Sequence, residues 1–219
     1  VLGTVTGTNI TAEITSVGNS WYRCVVKCSS AASNGSSWFQ IVIVPDANST
    51  SLPAYLGDGT SGIYIWGAQL QEGSSATTYI PTTSASSGAP RIDYDPATLA
   101  VKGLLIEESR TNYLLYSRDM TNAAWAKTDV TPSRTMVGLD GVANAACLMT
   151  EGSAGTAFVA QNATVSAGAI ITNSLAFKRG NTDWVMLQAG DSSGSNYARG
   201  WFNLNTGVKG TLSVGGSAT

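Results

Sequence analysis

The sequence predicts an all-β fold, an antiparallel β-sandwich of the jelly-roll kind. Three observations carry the prediction. Apolar and polar residues alternate with a period of two through most of the chain. The alternating stretches are short and are separated by clusters of Gly, Ser, Asn and Asp. Charged residues make up only 12% of the 219 positions, about half the ~25% of an average domain, while serine and threonine together fill 51 positions. Uncharged hydroxyls therefore solvate the surface, which suits a β-rich extracellular protein better than a cytosolic helical enzyme.

Each element has its own signature. Residues 9–17 alternate, with Ile10, Ala12 and Ile14 on one side and Thr11, Glu13 and Thr15 on the other. Residues 21–28 place Trp21, Arg23, Val25 and Lys27 opposite Tyr22, Cys24, Val26 and Cys28. Residues 38–44 form a nearly continuous apolar run that ends at Pro45, as a core strand does. Strands are expected next at 62–70 and 79–81, then at 104–106, 113–116, 147–150, 157–161, 170–178, 184–189 and 197–204. Only a short helix or turn at Asn122-Ala123-Ala124-Trp125 interrupts the pattern. Gly57 to Gly62 lacks the Lys-Ser/Thr ending of a phosphate loop and precedes a strand, so it reads as a turn.

Residues 84–111 read as a junction, with a small-residue stretch at 84–90 and a turn at Asp93-Tyr94-Asp95-Pro96. The flanking segments, 1–83 and 112–219, are each short for a sandwich. The end of the chain (Val208, Gly210, Thr211) echoes its beginning (Val1, Gly3, Thr4), as if cut from an array. Residues 1–83 would then be the C-terminal half of a sandwich whose N-terminal half is 112–219. The halves would meet within one chain, as a circular permutation, or between chains, as a swap.

Several chemistries are excluded. Without histidine there is no imidazole zinc site, Ser-His-Asp or Cys-His catalysis, or histidine pH switch. A net charge of −2 and a pI near 5.0 argue against a nucleic-acid partner. No apolar run approaches the ~20 residues of a helical membrane span, and no signal peptide opens the chain. Cys24, Cys28 and Cys147 are an odd number, and Cys24 and Cys28 on one strand would lie roughly 13 Å apart, too far for a disulfide. They read as small buried apolar residues.

Several runs carry a family resemblance. Gly62-Ile63-Tyr64-Ile65-Trp66-Gly67-Ala68-Gln69-Leu70-Gln71-Glu72-Gly73, followed by Thr78-Tyr79-Ile80-Pro81-Thr82, resembles the closing strand of carbohydrate-binding-module-like jelly rolls in phage tail and virion proteins. Pro90-Arg91-Ile92-Asp93-Tyr94-Asp95-Pro96, then Gly103-Leu104-Leu105-Ile106-Glu107 and Arg110-Thr111-Asn112, is similar to a junction in phage head-spike or tail-fibre proteins. Leu114 to Asp119 with Asn122 to Trp125 is similar to the opening of that jelly roll. Phe177 to Gly180, Trp184 and Phe202 to Gly207 resemble its middle, and Gly18 to Cys24 a later strand. The resemblance implies a non-catalytic, lectin-like module of a virion fibre or spike. Many related modules hold a structural calcium ion between the opening loop and the closing strand, where Ser117, Asp119, Gln69 and Glu72 are nearest. Trp66-Gly67 stands where an aspartate pair is usual.

Six tryptophans and eight tyrosines could supply a sugar site. An aromatic ring stacks on the apolar face of a pyranose while Asp, Asn, Gln and Arg fix its hydroxyls. The candidates are Trp184 beside Asn181 and Asp183, then Tyr197, Arg199 and Trp201 on one strand face, and Trp21 with Arg23. Trp38, Trp66 and Trp125 are expected in the core. A poly- or oligosaccharide is the expected partner, together with further copies of the chain.

Two other functions are weighed. One is a purely structural or oligomerisation segment of a fibre. The other is a depolymerase or glycosidase, which needs a carboxylate pair. Glu107-Glu108 alternate faces, Asp93 and Asp95 lie in a Pro-bounded turn, and Asp183 and Asp191 are distant in sequence. Glu107 and Arg110 read as a structural ion pair. The acceptor motifs at Asn9, Asn48 and Asn162 would be chance matches given the phage origin that the resemblance implies.

Overall fold

The computed structural model describes residues 10–29, 36–47, 57–84, 91–94, 101–105, 110–153, 155–191 and 197–215. No helix occurs among them. The alternating segments become β1 (Thr11–Ser16), β2 (Trp21–Ser29), β3 (Ser36–Val44) and β4 (Gly62–Glu72). After β5 (Arg91–Tyr94) and β6 (Val101–Leu105) come β7 (Ala126–Thr128), β8 (Val130–Met136), β9 (Ala146–Glu151) and β10 (Phe158–Thr164). The last four are β11 (Ile170–Arg179), β12 (Trp184–Asp191), β13 (Tyr197–Asn203) and β14 (Val208–Gly215).

Two six-stranded antiparallel sheets form a sandwich, in the orders β1-β2-β11-β4-β9-β8 and β14-β13-β12-β3-β10-β7. Strands from both sides of the junction are interleaved in each sheet. β11 lies between β2 and β4, and β3 lies between β12 and β10. The two segments therefore pair with each other within one chain. The comparison of the chain's two ends involves residues 1–6, outside the described residues.

The core is the meeting of the two inner faces. Cys24, Val26, Ile63, Ile65, Leu175 and Phe177 of the first sheet pack with Phe39, Ile41, Ile43, Val185, Leu187 and Phe202 of the second. Burying side chains of this size stabilises by roughly 1.5–3 kcal/mol each. Trp125 is buried as expected, edge-to-face with Phe39 at 5.9 Å. All three cysteines are free and buried. Burial pushes the Cys24 and Cys147 thiols up and that of Cys28 up to about 12.

β4 contains a bulge. Gly67 adopts φ +71°, and the pairing with β11 slips between Ser174 and Ala176. Before it Ile63 and Ile65 face the core; after it Ala68 and Leu70 do. One residue in left-handed geometry thus reverses the parity of the strand, as a glycine bulge does.

Several expectations need correction. Residues 79–81 and 113–116 are not strands. The second stretch runs beside β4, joined to it by two backbone bonds, from the Tyr113 N–H to the Leu70 carbonyl at 2.9 Å and from the Ala68 N–H to the Ser117 carbonyl at 2.8 Å, and a side chain bridges the space between them. Asn112, fully buried, accepts from the N–H groups of Leu70 and Leu114 and donates to the carbonyls of Ala68 and Ile80, at 2.9–3.1 Å. Asp93 and Tyr94 belong to β5, paired with β6, rather than to a turn. β7, β8 and β14 are strands beyond those that the sequence predicts. The 122–125 stretch is a turn in which Asn122 Oδ1 accepts from the Ala124 N–H at 2.9 Å. Glu107, Glu108, Asp95, Asn9 and Asn48 lie outside the described residues, and nothing is described of the Asp191 side chain.

Candidate functional site: an aromatic cleft on the first sheet

The outer face of the first sheet carries a row that runs across three strands. Arg23 on β2 pairs with Ala176 on β11, which pairs with Trp66 on β4. Adjacent strands lie 4.7–4.9 Å apart, so Arg23 and Trp66 stand about 9.5 Å apart with only a methyl group between them. That gap is a cleft of about 440 Å³, further bounded by Ser174, Gly67, Leu139, Val17 and residues 76–79. Trp66 was expected in the core. The bulge at Gly67 separates its face from that of Ala68 and Leu70, and it lies half-buried on the outer side. Its indole packs against the Tyr79 ring at 4.5 Å and 54°.

A polar network holds the 75–80 loop over the sheet. Gln69 accepts from the Ile80 N–H at 2.7 Å and donates to Gln71. Gln71 donates to the Ser75 carbonyl at 3.0 Å and accepts from the Thr77 hydroxyl at 3.0 Å. The Tyr79 hydroxyl meets Ser117 Oγ at 2.5 Å, and burial raises the Tyr79 phenol to about 12. Arg23 Nη2 donates to the Thr77 carbonyl at 2.5 Å and to Ser174 Oγ at 3.1 Å. Burial lowers the Arg23 pKa from its ordinary high value, leaving it a cation at any physiological pH.

The eight sugar-site candidates divide between opposite faces of the sandwich. Arg23 lines the cleft, whereas Trp21, 3% exposed, is packed beneath Tyr64 and Trp66. Trp184, Tyr197, Arg199 and Trp201 do share a face, the outer face of the second sheet. That face is largely closed: Trp201 is 3% and Arg199 6% exposed. Trp184 and Trp201 pack with Val42, Val44 and Met186. Arg199 lies 3.5 Å from the Tyr197 ring centroid, a cation–π geometry, and donates through Nε to Gln188 at 2.6 Å. Asn181 and Asp183 sit at the turn before β12. Asn181 Oδ1 accepts from the Gly62 N–H at 2.7 Å, and Asp183 accepts from Arg179 Nε at 2.5 Å.

Trp38, also expected in the core, is half-buried on that outer face, edge-on to Phe158 at 6.4 Å; its neighbour Phe39 faces inward. Trp38 borders a second cleft of about 430 Å³ with four alanines. It offers less polar chemistry, because the Gln161 amide is already paired with both the N–H and the carbonyl of Leu115.

The four side chains suggested for calcium are each engaged by protein partners. Gln69 is held by Ile80, Glu72 accepts from the Ser166 N–H at 2.6 Å, and Ser117 serves Tyr79 and Thr82. Asp119 accepts from Thr121 and faces Arg134 at 3.6 Å. Calcium needs six to eight converging oxygens, and among the described residues no three acidic or thiol groups gather. Comparison with protein-family models, curated proteins and solved structures returns no match.

Proposed function

We propose that the chain is a non-catalytic carbohydrate-binding module, a fibre or spike segment of a phage particle, and that it holds glycans in the Trp66–Tyr79–Arg23 cleft. The observation that carries this reading is the combination in one open cleft of a tilted aromatic pair in contact and a guanidinium with free donors. A pyranose needs both an apolar platform and directional hydrogen bonds. Among the described residues the lining contains no carboxylate, and so neither the acid nor the base of glycoside hydrolysis. The phage setting rests on the motif runs at 62–82 and 90–125 and on the charge-poor surface. Multiple copies on a particle would raise a weak single-site affinity.

Affinity electrophoresis through a panel of bacterial and plant polysaccharides tests it. Retardation that is lost in Trp66→Ala and kept in Trp201→Ala is expected. Retardation abolished by Trp201→Ala alone would move the site to the second sheet, and none with any polysaccharide would remove the reading.

A further inference from the structure

We propose that this cleft selects carboxylated glycans, of the uronic-acid class, with Arg23 as the group that takes the carboxylate; the inference rests on the glycan-binding reading above. Arg23 is a partly buried cation without a counter-ion. Nη2 is occupied by Thr77 and Ser174, and among the described residues the Nε and Nη1 protons have no protein partner. No ion pair involves Arg23 among them either. Glu13, on the same face of β1, pairs in register with Val25, whereas Arg23 faces Thr15.

A buried charge normally finds a partner, because desolvation without compensation is expensive. Here the partner position opens into the cleft, whose lining among the described residues carries one cation and no anion. Lys178 follows Ala176 by two residues on the same face of β11, opposite Tyr64. A second cation thus stands one row along the sheet, as a polymeric anion would require, while Asp140, near Tyr79, is already paired with Arg118. Trp66 and Tyr79 supply the stacking surface that a free inorganic anion would not use. A carboxylate borne on a pyranose satisfies both halves of the cleft at once.

The test uses one backbone in two charge states, polygalacturonate and its fully methyl-esterified form, titrated calorimetrically against the intact chain. The acid form should bind about ten- to hundredfold more tightly, the range for hydrogen bonds to a charged group. The preference should collapse to near unity in Arg23→Gln and persist in part in Arg23→Lys, both checked for folding by near-UV circular dichroism. Equal binding of both forms would overturn the charge selectivity and leave the glycan module standing. A preference unchanged in folded Arg23→Gln would overturn the role of Arg23. Binding to neither form, nor to any other acidic polysaccharide, would overturn the inference. If neutral glycans failed as well, the module reading would fall with it.

Discussion

Asn112 is the side chain on which the architecture of the cleft depends most. Its amide makes four hydrogen bonds to backbone groups of three separate stretches: β4 at Ala68 and Leu70, the loop end at Ile80, and its own segment at Leu114. Asn112→Ala removes all four. At roughly 1 kcal/mol net per bond the loss is about 4 kcal/mol, and groups left dry would add to it. Water entering the space would return part, so about 3–5 kcal/mol is expected against a total stability of about 5–15 kcal/mol. For a chain of this size that corresponds to a fall in Tm of roughly 6–20 °C. Urea unfolding followed by tryptophan fluorescence measures it, with Asn162→Ala, an exposed β10 position, as a control expected within about 0.5 kcal/mol. A cost below about 1 kcal/mol for Asn112→Ala would refute the argument that this one amide ties the three stretches together.

Three further substitutions follow from the same physics. Gly67→Ala forces an L-residue into φ +71° and brings a Cβ to 3.2 Å from the Tyr79 ring; it should cost about 1–2 kcal/mol in thermal unfolding, with a matching drop in glycan retention. Retention at the wild-type level would show that the ring position is unimportant. Asn173, fully buried on β11, has neither amide atom hydrogen-bonded; Asn173→Leu should therefore stabilise by about 1–2 kcal/mol in urea, and a loss would reveal a hidden partner. The thiols, raised by burial, bind their protons more tightly in the folded than in the unfolded chain. Stability from them is complete below pH about 9 and falls as the pH climbs toward about 12, the folded value of Cys28. Cys28→Ala should flatten that alkaline loss, and a thiol reagent at neutral pH should label the cysteines only on unfolding.

Much of the fold was legible because alternation is a local signal. The parity of β2 placed Cys24, Val26 and Cys28 together, and they face the core. The site was less legible. β3 is apolar on both faces, so alternation could not tell Trp38 from Phe39. The side of Trp66 depends on a bulge that a single glycine in a long apolar run does not announce. β8 is polar and edge-on, with Pro132 inside it, and Pro at an edge is a guard against pairing rather than a strand signal. The runs at 79–81 and 113–116 are apolar enough for strands, but isolated backbone bonds and the side-chain amides of Gln69, Asn112 and Gln161 hold them in place of a continuous ladder. Arg23 was singled out from sequence, whereas Ala176 and Tyr79, which complete the cleft, gain meaning only from the register.

The most direct test of the account is to observe the six indole N–H signals and the Arg23 Nε–H by nitrogen-15 NMR while an acidic oligosaccharide is titrated in. Trp66 and Arg23 should shift together and saturate together, while Trp184 and Trp201 on the opposite sheet stay still. Saturating shifts confined to Trp184 and Trp201 would contradict the assignment of the site to the first sheet.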